Sequence, residues 1–225
     1  MKKVLVLAAA LAAATPALAH EAGSIIVRAG AAHVAPDDSS SSIEVGGGAV
    51  PGTKATVGSD TQLGLTFAYK LTDQIGVELL AATPFSHRVG IGGVDAALGA
   101  SGFDGKFAQV KHLPPTLTLQ YYPMPSESRW QPYVGAGINY TTFFDEKLSG
   151  AQKANGFSGL SLSDSWGLAL QVGSDYMIND RLLFNVSVWH IDIDTTARAK
   201  LGGAPVKVDV DIDPWVFMVG LGYRF

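Results

Sequence analysis

The chain has 225 residues, 47% of them hydrophobic and 16% charged, with 26 Gly, 11 Pro and no Cys, which excludes a disordered chain and a disulfide-stapled one. A formal net charge of −4 offers no basic surface for phosphates, so nucleic acid is not expected as a partner. Mean hydropathy is high at +0.21, yet the longest unbroken apolar run, Val4 to Ala14, is 11 residues, short of the ~18–20 a spanning helix needs. Such a chain must spread its apolar residues along strands, in a soluble β core or in a membrane.

Lys2 and Lys3, the Val4–Ala14 run and the small-x-small triplet Ala17-Leu18-Ala19 read as a secretory signal peptide over 1–19. Residues 20–225 would be the mature chain. Eight alternating segments follow: Ser24 to Val34, Gln62 to Leu71, Ile75 to Thr83, Thr116 to Tyr122, Tyr133 to Thr142, Trp166 to Tyr176, Leu182 to Asp194 and Trp215 to Phe225. The second is the cleanest. Leu63, Leu65, Phe67, Tyr69 and Leu71 alternate with Gln62, Gly64, Thr66, Ala68 and Lys70, a period of two without a miss. The connections alternate long and short, which is the plan of an antiparallel up-and-down barrel with short periplasmic turns and four long extracellular loops.

A soluble lipocalin-like barrel is the rival reading. It would need Lys, Glu and Asp on its water-facing side. The second face here is mostly Gly, Ala, Ser, Thr, Gln and Asn, which suits a narrow lumen. Aromatics also gather beside the short turns at Tyr69, Tyr121, Tyr133, Tyr176, Tyr223 and Phe225, as an interfacial girdle would; Phe85, Phe143, Phe144 and Trp215 are expected in the opposite belt. The expectation is an all-β transmembrane barrel of eight strands in the outer membrane. The terminal Phe225 is taken as the signal read by the barrel assembly machinery.

Strand parity turns Arg28, Lys70, Glu78, Asp175 and Arg224 into the lumen near its periplasmic end. In a tube this narrow they are expected to interlock as a plug, and buried charges that merely stabilise the barrel are the alternative. Further out, the same parity turns Leu80, Ala82, Trp189 and Met218 inward. A water-filled pore would select polar residues, so this layer is read as an outward-opening pocket for a small apolar ligand, against simple core filling. Pro114 and Pro115 lack the N–H that a ladder needs. Opposite Pro84 they are expected to leave a lateral gap through which an apolar molecule passes into the bilayer. Asp192, Asp194, Asp209, Asp211 and Asp213 share one face and must stand above the hydrocarbon, as a solvated rim or as carboxylates bridged by divalent cations to lipopolysaccharide.

The five histidines show no metal-ligand spacing, and no cofactor or catalytic residue is assigned. A lipid-modifying barrel enzyme, recruiting His87 with Ser86 or His112, and an adhesion barrel acting through its loops remain as alternatives. Turnover would mark the first, and absence of any uptake the second.

Several stretches carry a resemblance to a known family. They include His20-Glu21-Ala22-Gly23, Thr61 to Phe67, Ile75 to Phe85, His112-Leu113-Pro114-Pro115-Thr116-Leu117, Pro132 to Phe144, Asp164-Ser165-Trp166-Gly167, Ser187-Val188-Trp189 and Asp213 to Met218. On these the mature chain resembles the outer-membrane protein W family almost throughout. The resemblance implies a narrow eight-stranded barrel whose hydrophobic channel admits small apolar molecules and releases them laterally, with Leu80 and Trp189 lining the channel's lower end. The long loops Ala35 to Asp60 and Ser86 to Val110 depart from the family's usual ones.

Overall fold

The computed structural model describes residues 20–225; the expected signal peptide lies outside the described residues. Eight long strands form the wall: β1 (Ile25–Ala35), β2 (Asp60–Lys70), β3 (Ile75–Ala82), β4 (Thr116–Tyr121), β5 (Trp130–Leu148), β6 (Ser165–Met177), β7 (Leu182–Ile191) and β8 (Trp215–Arg224). Each pairs antiparallel with its neighbour in the chain, and β8 pairs with β1 to close the barrel. Closure gives every strand of the wall a neighbour on both sides, as hydrocarbon demands because it offers backbone groups no partners.

The period-two pattern is resolved as the inverse of a soluble protein. On β2, Thr66, Ala68 and Lys70 are buried inside while Leu63, Phe67 and Tyr69 face out. On β6, Trp166 is 71% exposed and Leu168 68%. In water each such side chain would forgo about 1.5–3 kcal/mol of burial, so the surrounding solvent is acyl chain. Glycines let the strands approach closely. A Cβ at Gly137 would overlap the backbone of Leu117 on β4.

Two aromatic belts bound the apolar band. Tyr69, Tyr121, Trp130, Tyr176, Tyr223 and Phe225 stand exposed on the side of the short turns; Trp215 stands exposed on the other, where Trp166 tilts against its cross-strand partner Tyr140. Three expected members are corrected. Tyr133 is only 1% exposed, because Val134, Ala136 and Ile138 hold the outward parity of β5 and so turn Tyr133 in, over Gly173. Phe85 is 2% exposed and Phe143 packs on the interior cluster, because both lie above the belt, where the chain folds back on itself.

The outward connections are not loops in the ordinary sense. Strand β5 outlasts β6, whose pairing ends at Thr141 opposite Ser165, and continues along Gly105–Leu113. That segment pairs with Phe85–Gly92, which pairs with Lys54–Val57. Opposite it, Phe157–Leu162, Asp194–Leu201 and Ala204–Asp211 form a second sheet, extended by Ser39–Ser40, Glu44–Val45 and Gly48–Ala49. The alternation Val206-Lys207-Val208-Asp209-Val210 accounts for this sheet: Val206 and Val210 are buried while Asp209 and Asp211 face water. The two long segments expected as loops are therefore mostly strands of these sheets, joined by turns such as Gly46-Gly47, both at positive φ, and by a short helix at Val94–Leu98.

Candidate functional site

The periplasmic end of the lumen is closed by charge. Arg28 from β1 forms a bidentate pair with Asp175 of β6, its Nε 2.9 Å from Oδ1, and its Nη1 lies 2.6 Å from Glu78 Oε2 of β3. Gln171 donates to the other oxygen of Glu78 at 2.7 Å, and Asn185 donates to Asp175 at 2.7 Å and to the Tyr133 hydroxyl at 2.9 Å. Lys70 places its ammonium 3.4 Å over the Tyr122 ring and donates to the Asp73 carbonyl at 3.0 Å. All four charged residues are fully buried. Two cations against two carboxylates leave the floor neutral, and saturation with hydrogen bonds is the condition under which buried charge is tolerated.

One expected member does not belong to this floor. Arg224, the last residue of β8 at the rim, donates to the Asp180 carbonyl at 3.1 Å and lies 3.6 Å from Glu21, outside the lumen. His20 takes part instead, fully buried with Nε2 2.8 Å from Asp175 Oδ2. It precedes the first strand and so has no parity by which sequence reading could place it.

Above the floor, Leu80, Trp189 and Met218 are buried among Ala32, Ala169, Ile191 and Val216, with the half-buried Ala82 against them. They fill the tube. The open apolar space lies further out, so these four residues do not line it as expected; eight strands leave room only for side chains at the level of the membrane.

That space is a cavity of about 150 Å³ between the two extracellular sheets, lined almost wholly by apolar side chains such as Val34, Ala55, Val57, Phe157, Val208 and Ile212. Engineered apolar cavities of this size stay dry and hold benzene. Its polar exceptions include His87 and His112, whose Nε2 atoms are 2.8 Å apart. The His112 ring stacks with Phe85, centroids 5.5 Å apart, and tilts against Phe143 at 5.8 Å. Burial holds both imidazoles below the usual histidine range, and for His112, pushed down to about 3, the neighbouring His87 adds to it. Sequence reading named both as groups that a barrel enzyme could recruit; that they meet in the cavity wall needed the fold-back. His87 Nδ1 is 2.5 Å from the Gly58 carbonyl, so both its ring nitrogens are engaged, while Ser86 Oγ accepts from Gln109.

The wall breaks beside this pair. Leu80 opposite Thr116 is the last β3–β4 pair, and Phe85 opposite His112 is the next above it. Between them Pro84, Pro114 and Pro115 stand where a continuous ladder would need donors. Pro115 keeps its place on the other side, its carbonyl accepting from Tyr140 N–H at 3.1 Å.

The five aspartates stand at the extracellular end. Asp209 accepts from Lys207 at 2.7 Å and from Thr196 at 2.6 Å, which holds it below the usual carboxylate range. Asp194 is pushed up by burial and then by Asp211, Asp213 and Asp192. Among the described residues no group of three or more His, Asp or Glu is arranged to hold a metal ion.

The family model described as the OmpW family matches residues 21–225. The chain is 52% identical to outer membrane protein W of Escherichia coli K12, with both chains covered in full. The crystal structure of the outer membrane protein OprG from Pseudomonas aeruginosa matches with 56% identity and a TM-score of 0.87, covering 92% of this chain and 98% of that one. A more distant relative, 28% identical over 84% of this chain and 82% of its own length, is the dibenzothiophene metabolism operon protein PahQ of Pseudomonas aeruginosa.

Proposed function

The chain belongs to the OmpW family of the outer membrane, and from that premise we propose that it is a conduit for small hydrophobic molecules, and not an enzyme, taking them from the extracellular side and releasing them sideways into the bilayer. The observation that carries the reading is an apolar cavity above a closed, charged floor. An apolar solute gains by leaving water for such a cavity, and the buried charges below bar it from the periplasm at a desolvation cost it cannot offset. The break between Ala82 and Phe85 on one side and Leu113 and Thr116 on the other is the remaining route, and it opens toward acyl chains. A relative named for the metabolism of dibenzothiophene, a fused apolar aromatic, is consistent with this class of cargo.

The reading includes two further partners. Phe225, exposed and T-stacked on Tyr223 with centroids 4.8 Å apart, is the assembly machinery's signal, and lipopolysaccharide is the lipid around the extracellular end.

The test is accumulation of labelled naphthalene in cells with and without the protein. Ala55→Trp, which fills the cavity from a residue lining it, is expected to bring uptake down to the level without protein. Uptake unchanged in a folded Ala55→Trp barrel would sink the proposal.

A further inference from the structure

The hydrogen bonds around the two cavity imidazoles fix their protons. His87 Nδ1 faces the Gly58 carbonyl at 2.5 Å, and a carbonyl only accepts, so Nδ1 carries the hydrogen. A neutral His87 then has a bare Nε2, which can only accept across the 2.8 Å contact with His112, so His112 donates from its own Nε2. This leaves His112 Nδ1 as a lone pair. It is buried and has no hydrogen-bond partner among the described residues. Stacking with Phe85 and packing against Phe143 hold the ring, so it cannot turn to find one. A buried acceptor left unmet is costly and calls for an explanation.

We propose that His112 Nδ1, covered by its neighbours in this structure, is the unmet hydrogen-bond acceptor that an entering occupant uncovers, so that the site prefers small apolar molecules carrying a single hydroxyl donor, such as phenols, over bare hydrocarbons of the same shape. The inference rests on the reading of the cavity as the ligand site and adds the chemical class of the ligand. The apolar lining supplies affinity for both kinds of molecule, and the single acceptor supplies the difference. One such bond distinguishes the two by about fivefold.

Phenol and toluene differ by little more than OH for CH₃, and their size suits a cavity of about 150 Å³. Both are titrated by NMR into the mature barrel in lipid nanodiscs, labelled with ¹⁵N at histidine and corrected for partition into empty nanodiscs. The expected result is about fivefold tighter binding of phenol, with a shift of the His112 Nδ1 resonance that toluene does not produce. In His112→Phe, which keeps the aromatic stack, toluene binding persists and the preference for phenol disappears. Equal binding of the two by the wild-type protein with an unmoved Nδ1 resonance would overturn the proposal and leave the apolar site standing. Failure of either molecule to shift cavity residues such as Phe157 and Val208 would remove both. The Nδ1 resonance of the wild-type protein decides the matter even where His112→Phe does not fold.

Discussion

Truncating Arg28 leaves Asp175 and Glu78 facing each other across a closed lumen without the guanidinium that joins them. Arg28→Ala is expected to lose about 3–5 kcal/mol, the usual consequence of leaving a buried partner uncompensated, measured by urea unfolding in lipid. Arg28→Ala combined with Asp175→Ala should lose less than the sum of the singles, since each alone strands the other's charge. The histidine pair carries a pH dependence of definite sign. Both imidazoles bind protons less readily in the folded protein than their ordinary value of about 6.5 allows. Below pH 6.5 the unfolded state therefore takes up protons that the folded state refuses. Stability of the extracellular sheet is full above that pH and falls as pH drops toward about 3, by at most about 1.4 kcal/mol per pH unit for each histidine. Amide exchange of Phe85–Gly92 and Gly105–Leu113, corrected for intrinsic rates, should show reduced protection at pH 5 relative to pH 7, and the His87→Phe, His112→Phe double variant should flatten the difference.

Among the elements, the short stretch between β3 and Phe85–Gly92 is the most consequential. Prolines there withhold ladder donors and separate the membrane wall from its extracellular continuation. Replacing Pro84, Pro114 and Pro115 together by threonine restores those donors. The expected outcome is a severalfold drop in naphthalene uptake with toluene binding in the cavity retained; unchanged uptake would show that release does not use this break. Within β6, Gly173 lies beneath the Tyr133 ring, and a Cβ there would overlap it. Gly173→Val should force Tyr133 away from Asn185 and the floor, destabilising the barrel by about 1–3 kcal/mol as overpacking does. Unfolding at equilibrium in lipid measures it.

For the whole molecule, the outward apolar band is the defining feature, and Leu168 lies within it on β6, two residues from the belt residue Trp166. Leu168→Arg is expected to lower folding free energy from lipid by up to about 2–4 kcal/mol, less if the side chain reaches the interface, whereas Thr118→Ser, inside the lumen, should be nearly neutral. The spanning strands and their inward and outward faces were legible because the code is local: a side-chain period of two ties each residue's face to its neighbour's, so Leu63 to Leu71 announces a two-sided strand without reference to anything else. Arg28, Lys70, Glu78 and Asp175 followed from the same count. Tyr133 was misplaced where its position beside a turn was weighed above the parity of Val134 and Ile138. The strand Ala204–Asp211 carried its own alternation and was passed over inside a long connection.

What the amino-acid order fixed alone was the barrel, its closure and its charged floor, since these depend on alternation and on the absence of water in the bilayer. Only the tertiary structure decided where the cavity lies, that His87 meets His112, and that Leu80 and Trp189 are packing beneath it. Those facts depend on which distant segments pair beyond the membrane, and there water can satisfy the backbone in many arrangements, so local pattern no longer selects one.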